Sequence, residues 1–471
     1  MVKYKDFTAK LTDTYARFRE QSLSNRRIKH SNIKPLIEKL GNNPLFSVSQ
    51  AGLSVQNREI YLVSIGTGKT KVFLWSQMHG DESTATMAIF DIFNFFAEKN
   101  EFDDFKSEIL SNLTIYFIPM VNPDGAEIFE RRNSIGIDLN RDAVRLQTPE
   151  ARILKNTFGS IKADFGFNLH DQSIYYSAGK SFKPAAISFL APPTGSDKAI
   201  TGARDKSMKL IGQLYNVLND FIPGQIGKYS DEYEPRAFGD NFQKWGMGTI
   251  LIESGGLKGD PEKQYLRKLN FILLMTSFVS IAGNEYLNES HDTYESIPFN
   301  EKDGMMDLIL RNLSYRTDEG NIMVDVGINR TEKNTDSANS FFQVGRVADI
   351  GDLSVFGAYD DIDFSGMEIS AGKTSKKTAG SEEELSRLNF PELYSQGYTS
   401  VKAGFEFAGE YSAYPINIIL KDCPDEENIK VDGPANFIIS REGKIKFVVI
   451  NGFLIEIENP AKTVLNGEVV R

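Results

Sequence analysis

The feature that most constrains this chain is a histidine and a glutamate three residues apart, His79 and Glu82, which follow an apolar segment. Residues 71–75 predict a buried strand, and residues 83–97 carry apolar side chains at helical spacing. Both side chains would lie where the strand gives way to the helix, and positions i and i+3 share one face of a helix. Zinc accepts imidazole nitrogen and carboxylate oxygen, so this pair predicts a metal site that requires a third ligand.

The third ligand is sought among the other histidines, because the chain has only 4. His170 ends the apolar run 163–170, a predicted strand, and open α/β sheets place functional groups at the carboxyl ends of their strands. His30 lies in a basic stretch and His291 follows polar residues, so both are interpreted as solvated surface residues. His170 is therefore the predicted third ligand. The alternative is that it and His79 are hydrogen-bonded histidines beside the core.

Further motifs accompany these histidines. Residues 122–125, Asn-Pro-Asp-Gly, are typical of a turn after a strand, and residues 131–141 end in Asp-Leu-Asn-Arg. Residues 249–254 form an apolar strand with a single acid, Glu253. In this order along the chain, the motifs resemble the zinc carboxypeptidase family, which is typified by pancreatic carboxypeptidase A and also contains bacterial peptidoglycan-peptide hydrolases. The resemblance covers roughly residues 50–285.

The resemblance implies the chemistry of the site. A zinc ion on His79, Glu82 and His170 would bind a water molecule, lower its pKa towards neutrality and polarise the scissile carbonyl. Glu253 would act as the general base, because a carboxylate on an apolar strand is costly unless it has a charged partner and a task. The alternative for Glu253 is a buried structural acid paired with a lysine or an arginine.

The resemblance also implies how the substrate is held. Arg131, which has the spacing to the Asp-Leu-Asn-Arg motif seen in bacterial members, would stabilise the developing oxyanion, with Arg132 as the fallback. Asn140 and Arg141 would bind a terminal carboxylate, because a guanidinium presents two parallel donors to two carboxylate oxygens. This arrangement implies exopeptidase action. Asp138 would accept the second ring N–H of the first histidine ligand and fix its tautomer.

Some positions bear on specificity. The family's mobile tyrosine, which closes over the bound substrate, is assigned to Tyr233, with Tyr229 as the alternative. Asp81 stands where digestive members carry an arginine, so one anchor for substrate carboxylate or carbonyl groups is missing. The preferred side chain stays open, because residues 236–240 contain a basic, an apolar and an acidic residue.

The predicted function is a zinc-dependent metallocarboxypeptidase that hydrolyses a C-terminal amide bond of a peptide or peptide-like substrate. The alternatives are a zinc-dependent deacylase acting on N-acyl amino acids and a non-catalytic binding protein on a peptidase scaffold. Residues 122–125 favour the peptidase over the deacylase, and the retention of all ligands with Glu253 argues against a binding protein. The expected cofactor is one Zn²⁺ per chain, although two imidazoles and a carboxylate accept several divalent ions.

Composition narrows the class of protein. A net charge of −11 argues against a nucleic acid partner, because phosphates are neutralised by clustered lysines and arginines. No run approaches the roughly twenty apolar residues of a membrane span, and residues 1–30 lack the apolar core of a secretory signal. The single cysteine, Cys423, excludes an intramolecular disulfide framework and suits a reducing compartment. The expected location is therefore the cytoplasm, without a membrane partner.

The order of predicted elements indicates three segments. Residues 1–45 predict a helical N-terminal extension. In residues 46–290, apolar strands alternate with helical runs, which predicts an α/β catalytic domain whose mixed sheet has helices on both faces. Residues 291–471 are dominated by strand-like runs and predict a smaller all-β domain. Within it, residues 371–384 are polar and predict an exposed loop.

Two shorter patterns bear on other functions. The strand-turn-strand runs of residues 291–471 resemble the small β-sandwich of metal-dependent amidohydrolases, whose barrel is absent, and imply a module without chemistry of its own. Residues 66–70, Gly-Thr-Gly-Lys-Thr, lack the first glycine of a phosphate-binding loop, because Val63 stands in its place. Flanked by the apolar runs 59–64 and 71–75, they predict a hairpin turn.

Overall fold

The computed structural model describes residues 3–420, 428–458 and 465–471, so Cys423 lies outside the described residues. The chain forms two compact units, Met1–Asp303 and Gly304–Arg471, called unit 1 and unit 2 below. Residues 291–303 group with unit 1, where Tyr294 is buried and its carbonyl oxygen accepts a hydrogen bond from Lys228. All residues predicted to form the site lie in unit 1.

Unit 1 alternates helices and strands along the chain. Its helices are α1 (Lys3–Thr14), α2 (His30–Gly41), α3 (Thr84–Ala97), α4 (Asp103–Asn112), α5 (Pro123–Ile128), α6 (Pro149–Ile161), α7 (Gly202–Asn219), α8 (Phe238–Lys244), α9 (Gln264–Gly283) and α10 (His291–Glu295). Its strands are β1 (Phe46–Leu53), β2 (Glu59–Ile65), β3 (Thr70–Ser76), β4 (Leu113–Ile118), β5 (Phe165–Asp171), β6 (Ser177–Ala178), β7 (Ile187–Leu190), β8 (Ile226–Lys228), β9 (Gly248–Ser254) and β10 (Asn300–Glu301). Short 3-10 helices lie at Tyr15–Arg17, Leu139–Arg141 and Glu285–Asn288.

One mixed sheet of 8 strands organises unit 1, in the order β1-β2-β4-β3-β5-β9-β7-β8. Its central strands β4, β3, β5 and β9 run parallel. Towards the two edges, β1 with β2, β2 with β4 and β7 with β9 pair antiparallel. Parallel neighbours need crossover connections, and the helices between the strands supply them. Because β3, β5 and β9 are adjacent and parallel, their carboxyl ends meet at one edge of the sheet.

Helices cover the sheet on both faces. Along β3, Val72 and Leu74 join the larger apolar core with α3 and α9, whereas Phe73 and Trp75 join a second core with α6 and α8. All four side chains are fully buried. A strand that is buried on both faces has a continuous apolar sequence, which is why residues 71–75 predicted it. The predicted fold class, a mixed α/β sheet with helices on both faces and an all-β C-terminal part, is confirmed.

The N-terminal residues contribute side chains to the larger core of unit 1. Phe7 and Phe18 are fully buried there. Each packs edge-to-face against Phe95 of α3 and against Phe102, which precedes α4. Such aromatic pairs contribute more than their buried area alone, by about 0.5–1.5 kcal/mol each. Residues 3–18 therefore share one apolar core with the helices on the sheet.

The loop between β2 and β3 is not a hairpin turn, because β4 lies between these two strands in the sheet. The amides of Thr67 and Gly68 donate instead to the carbonyl oxygens of Leu110 and Leu113, at 2.8 and 3.2 Å. A Cβ on Gly68 would lie 1.8 Å from the carbonyl carbon of Asn112, so this approach requires glycine. The hairpin prediction is therefore wrong, since the glycines serve contact with the start of β4.

Helix α9 is the one helix in the described ranges that is long and apolar enough to cross a membrane by length and composition. However, 83% of its apolar window is buried within the structure. It packs against α1, α3, α4 and α7. A helix that is apolar on all sides is expected in the middle of a large core, and α9 occupies such a position in unit 1.

Unit 2 is built mainly of strands. They are β11 (Met305–Thr317), β12 (Gly320–Asn334), β13 (Phe341–Gly351), β14 (Gly357–Asp363), β15 (Glu368–Ala371), β16 (Lys373–Ala379), β17 (Tyr398–Ala403), β18 (Tyr411–Ser412), β19 (Asn417–Ile419), β20 (Phe437–Arg441), β21 (Lys444–Ile450), β22 (Phe453–Glu456) and β23 (Gly467–Val470). Two short helices, α11 (Glu382–Ser386) and α12 (Phe390–Ser395), interrupt them. One sheet has the order β13-β12-β11-β15-β20-β21-β22 with β14 beside β11, and another has the order β16-β17-β19-β23-β18.

The polar residues 371–384 do not form a loop throughout, because residues 373–379 are strand β16. This strand pairs in parallel with β17 at the end of its sheet. Ser375 and Ala379 are buried, whereas Lys376 and Lys377 are exposed. Charged side chains are typical of an edge strand, where they discourage pairing with other chains. The loop prediction is wrong for β16, since backbone hydrogen bonds rather than apolar side chains hold such a strand in place.

Candidate metal and active site

The predicted ligands and the predicted base meet at the carboxyl ends of three neighbouring parallel strands. His79 and Glu82 follow β3, His170 lies near the end of β5, and Glu253 lies near the end of β9. His170 and Glu253 are direct partners in the pairing of β5 with β9. The strand order of the sheet therefore brings together residues that are far apart in the chain.

The loop that carries His79 and Glu82 has a backbone that depends on the Asn-Pro-Asp-Gly motif. Gln77 adopts a φ of 49°, and a Cβ on Gly80 would lie 2.1 Å from the carbonyl carbon of Gly125. Residues 122–125 begin α5 rather than forming an isolated turn, with the Asn122 side chain accepting from the Gly125 amide at 2.9 Å. The Asn122 amide donates to the Gln77 carbonyl oxygen at 3.0 Å. This motif therefore supports the loop that carries the ligands.

The ligand atoms of His79, Glu82 and His170 converge on one point. The Nδ1 atoms of the two histidines are 3.2 Å apart, and each lies 2.7 Å from a different carboxylate oxygen of Glu82. One ligand atom from each residue lies within 4.8 Å of the others. Ligands at about 2.0–2.1 Å from a tetrahedral zinc ion are about 3.3 Å from one another, so the two nitrogens have the spacing of zinc ligands. The donor set fits a zinc ion.

The electrostatics of this cluster favour positive charge between the ligands. Burial opposes ionisation of Glu82, but the charges and hydrogen bonds of His79 and His170 hold its pKa well below the usual value. Burial would lower the pKa of His79, but the charge of Glu82 and the hydrogen bond with Asp138 outweigh it and raise this pKa to about 9. Burial lowers the pKa of His170. A cation shared by the three side chains would satisfy the buried carboxylate.

The two histidines differ in what holds their second ring nitrogen. Nε2 of His79 lies 3.1 Å from Oδ1 of Asp138, so a proton on Nε2 leaves the Nδ1 lone pair for a metal. Although burial opposes its charge, the hydrogen bond and charge of His79 lower the pKa of Asp138. Nε2 of His170 is buried and has no hydrogen-bond partner within the described ranges. The orientation of His170 therefore depends on the strand that carries it.

Arg131 lies against the ligands. Its Nη1 is 3.1 Å from Nδ1 of His79 and 3.1 Å from Oε1 of Glu82. Its side chain is 43% exposed, so the guanidinium stands on the open side of the cluster. A fixed cation in this place can stabilise an anion that develops beside the ligands. Arg132, the fallback, is exposed and donates to a carbonyl oxygen of its own loop at 3.0 Å.

Glu253 is partly buried next to other acids. Burial and the charges of Glu82 and Asp171 raise its pKa well above the usual value, while Arg131 and Lys263 oppose this rise. Both cations form their ion pairs with other carboxylates, Arg131 with Glu82 and Lys263 with Asp171. A carboxylate whose pKa is raised is a better proton acceptor than an ordinary one. These surroundings therefore raise the proton affinity of Glu253.

Asn140 and Arg141 lie in a short 3-10 helix that Asp138 caps through the Asn140 amide at 2.9 Å. The side-chain oxygen of Asn140 accepts from the Phe238 amide at 2.9 Å, which turns its amide nitrogen away from that contact. Nε of Arg141 lies 3.4 Å from Oε2 of Glu234. The amide nitrogen of Asn140 and the remaining guanidinium N–H groups are thus suited to donate to a carboxylate.

The two candidate tyrosines occupy different surroundings. Tyr229 packs edge-on against Tyr176 with ring centres 5.7 Å apart, and burial together with the charge of Glu253 raises its pKa. The ring centre of Tyr233 lies 5.9 Å from Nζ of Lys244. The charge of Glu253, the predicted base, therefore acts on the hydroxyl of Tyr229. The assignment of the mobile tyrosine to Tyr233 stays a prediction.

Asp81 lies beside the ligands without a partner for one of its oxygens. Its Oδ1 is buried and has no hydrogen-bond partner among the residues that the structure describes. Burial and the charge of Glu82 raise the pKa of Asp81 to about 6. The site therefore has a buried acid at the position where the resemblance implied an arginine in digestive members of the family.

Neither of the other histidines joins the ligands. His30 is buried. Its Nε2 lies 3.0 Å from the Glu59 carbonyl oxygen, and its ring stacks on Tyr61. The interpretation of His30 as a surface residue is therefore wrong, since its ring packs against β2. His291 is partly exposed and lies 2.6 Å from Oδ1 of Asp205.

A buried ion pair beside the site has no motif in the sequence. Nζ of Lys263 lies 3.2 Å from Oδ2 of Asp171, the residue after His170. The Thr84 hydroxyl donates to the same oxygen at 2.6 Å. Lys263 stands in an ordinary polar segment, so its sequence surroundings do not single it out. The only signal was Asp171 itself, a charged residue at the end of an apolar strand.

Residues 36–181 match the family model described as zinc carboxypeptidase. The resemblance to this family is confirmed. The matched segment contains the three predicted ligands together with Arg131, Asp138, Asn140 and Arg141, whereas Glu253 and Tyr233 lie beyond it. The assignment of the base therefore depends on the pairing of β5 with β9.

Curated proteins that are similar to part of this chain are carboxypeptidases by name. "Probable carboxypeptidase 2" of Trichophyton verrucosum is 24% identical over 141 residues, which are 30% of this chain and 24% of that protein. "Carboxypeptidase SOL1" of Arabidopsis thaliana is 26% identical over 103 residues, 20% of this chain and 21% of that protein. The chain thus spans less than a quarter of the length of these relatives.

Solved structures that resemble the chain include bacterial proteins described as metallo-carboxypeptidases. A metallo-carboxypeptidase from Burkholderia cenocepacia has a TM-score of 0.44 and 18% identity, covering 54% of this chain and 69% of that one. A metallo-carboxypeptidase from Pseudomonas aeruginosa, in complex with (2-guanidinoethylmercapto)succinic acid, has a TM-score of 0.43 and 19% identity, covering 53% and 68%. Both overlaps leave nearly half of this chain unmatched.

Proposed function

We propose that the protein is a zinc-dependent metallocarboxypeptidase that hydrolyses the C-terminal amide bond of a peptide or peptide-like substrate. The observation that carries this proposal is the convergence of His79, Glu82 and His170 beside Glu253 at one edge of the sheet. A zinc ion held by these three side chains would supply Lewis-acid and water-activating chemistry. The family match over residues 36–181 supports the same conclusion.

Glu253 takes the proton of the attacking water and delivers it to the leaving amine. Burial and the charges of Glu82 and Asp171 raise its pKa above the usual value, so Glu253 holds a proton more strongly than an ordinary carboxylate does. Arg131, with its guanidinium 3.1 Å from Glu82, donates hydrogen bonds to the oxyanion that forms on the same side. The two side chains thus divide proton transfer and charge stabilisation between them.

Asn140 and Arg141 bind the terminal carboxylate of the substrate. The Asn140 amide is oriented by its bond to the Phe238 amide, and Arg141 is held beside it in the same 3-10 helix. A donor pair of this kind recognises the end of a chain and not its middle, which makes the enzyme an exopeptidase.

The proposal is tested first with Glu253→Gln, which keeps the size of the side chain and removes its basicity. We expect kcat to fall by about 100-fold or more, on the scale of a lost general base, with one zinc still bound per chain. Turnover of short peptides and metal content by mass spectrometry are measured on the same samples. Glu262→Gln, on the segment before α9, is the matched control. Unchanged kcat in the zinc-loaded Glu253→Gln variant would refute the assigned mechanism.

Recognition of the carboxylate is tested with Arg141→Met. A hydrogen bond to a charged group contributes about 1.5–3 kcal/mol, so we expect KM for peptides with a free C-terminus to rise by about 10- to 100-fold. Peptides with an amidated C-terminus should show no such change, and Arg152→Met, at an exposed arginine, serves as the control. Faster cleavage of N-acyl amino acids than of any peptide would favour the deacylase. Zinc binding without any turnover would favour a binding protein.

A further inference from the structure

We propose that Lys263 is a positioning residue that holds the ends of the two strands carrying His170 and Glu253. Nζ of Lys263 lies 2.8 Å from the carbonyl oxygen of Ser254 and 3.2 Å from Oδ2 of Asp171. Ser254 directly follows Glu253, and Asp171 directly follows His170. One buried cation therefore joins the residues next to a metal ligand and next to the base. The inference rests on the function proposed above.

Lys263 stands at the start of helix α9. Its side chain is buried, and it stands at the residue before the first turn of α9, the core helix of unit 1. Its amide donates to the Asp260 carbonyl oxygen at 3.0 Å, and its own carbonyl oxygen accepts from the Arg267 amide at 2.8 Å. Its φ of 51° lies in the left-handed region, where glycine or asparagine is more usual. The contacts of the side chain, rather than the backbone, account for a lysine at this position.

Asp171 connects this contact to the metal ligands. Its Oδ2 accepts from the Thr84 hydroxyl at 2.6 Å, and its amide donates to Oε2 of Glu82 at 3.2 Å. Its Oδ1 is buried without a hydrogen-bond partner in the described part of the chain, so the cation of Lys263 is the main compensation for this buried charge. Loss of Lys263 would therefore disturb both Glu82 and the end of β5.

The need for such a contact follows from the unequal support of the two histidines. His79 is oriented by Asp138, 3.1 Å from its Nε2. Nε2 of His170 has no partner within the described ranges, so no side chain fixes its ring from behind. The position of His170 is set by the end of β5, which Lys263 holds through Asp171. Groups that orient metal ligands in this way typically change metal affinity or activity by about 10- to 100-fold when they are removed.

The test compares Lys263→Met with Lys106→Met. Lys106 is a matched buried lysine of unit 1, paired with Asp103 at 3.0 Å and donating to the backbone carbonyl of Glu98. Neither partner belongs to the site. For each variant we would measure the zinc dissociation constant by competition with a chelator, the melting temperature, and kcat and KM for a peptide that the wild-type protein cleaves.

We expect Lys263→Met to weaken zinc binding and to lower kcat, each by about 10- to 100-fold, with KM within about 3-fold of the wild-type value, because Asn140 and Arg141 are untouched. Lys106→Met should lower the melting temperature and leave zinc affinity and kcat unchanged. Lys263→Arg, which keeps the positive charge, should recover part of the zinc affinity. Thr84→Val, which removes one donor to Asp171 at constant shape, should weaken zinc binding in the same direction.

The proposal is overturned if Lys263→Met binds zinc as tightly as the wild-type protein while its melting temperature falls as much as that of Lys106→Met. If Lys263→Met does not fold, Thr84→Val decides in its place, and unchanged zinc affinity in that variant overturns the proposal. Zinc affinity is measured without turnover. A wild-type protein that binds zinc but cleaves no peptide would therefore refute the proposed function, while the zinc affinities of the variants still decide the role of Lys263.

Discussion

At the scale of single residues, burial can raise the pKa of an acid near the site even where the acid has hydrogen-bond donors. Asp240, at the start of α8, is only 7% exposed. Burial raises its pKa from 3.8 to about 6, although its carboxylate accepts from the Glu234 amide at 3.1 Å and the charge of Arg141 lowers this pKa. Burial prevails because a backbone donor and the charge of Arg141 replace only part of the lost hydration.

This shift predicts a pH dependence of stability. Between pH 3.8 and about 6, folded Asp240 keeps a proton that the unfolded chain has released, so its contribution to stability is greatest at low pH and is lost as the pH rises through this range. Asp240→Asn removes the titration and keeps an acceptor for the Glu234 amide. We expect the variant to gain up to about 3 kcal/mol in unfolding free energy relative to the wild-type protein between pH 4 and pH 7. Urea unfolding at several pH values measures this, and a constant difference would contradict it.

At the scale of elements, helices α3 and α9 are joined by a buried ion pair between Asp91 and Arg267, both fully buried. Nε of Arg267 donates to Oδ2 of Asp91 at 2.8 Å, and the Tyr15 hydroxyl donates to the same oxygen at 2.9 Å. Another guanidinium nitrogen donates to the Glu20 carbonyl oxygen at 2.9 Å. The pair thus fastens the N-terminal segment to the two helices that cover one face of the sheet.

Removal of one partner should be far more damaging than removal of both. Arg267→Met leaves Asp91 buried without its cation, so we expect the unfolding free energy to fall by about 3–5 kcal/mol. The double variant Arg267→Met with Asp91→Leu should be more stable than the single variant, because no buried charge is left. Chemical denaturation of the three proteins tests this. A double variant no more stable than Arg267→Met would show that packing or the bonds to the N-terminal segment dominate.

At the scale of the whole molecule, each of the two compact units has an apolar core of its own. One apolar core of unit 2 contains Leu310 of β11 and Ile439 of β20, both fully buried. The three predicted metal ligands all belong to unit 1. Stability of unit 2 and metal binding are therefore expected to respond to different substitutions.

Leu310→Ala tests this separation. Removal of a buried leucine costs about 2–5 kcal/mol, so the unfolding of unit 2 should shift to lower temperature in calorimetry, while zinc content stays at the wild-type value. Leu74→Ala, in the strand that leads to His79, should instead lower both the stability of unit 1 and its zinc content. Loss of zinc in Leu310→Ala would contradict the separation.

The sequence by itself determined the elements whose signal is local. The continuous apolar run at 71–75 predicted β3, because a strand buried on both faces leaves no place for polar residues. The helix at 83–97 and the strand at 249–254 were predicted within a residue or so of α3 and β9 for similar reasons. His79 and Glu82 also lie within one short segment, so the proximity of their side chains could be predicted before the fold was known.

Only the tertiary structure decided what depends on strand order and on long-range contacts. The insertion of β4 between β2 and β3 replaced the expected hairpin, and no local pattern encodes such an insertion. Burial of His30 depends on β2, which lies far from it in the chain. Lys263 acquires its role because two parallel strands end beside the start of α9. A charged side chain has the same local sequence signal whether it ends in water or between two strands, and only the packing of distant elements distinguishes the two.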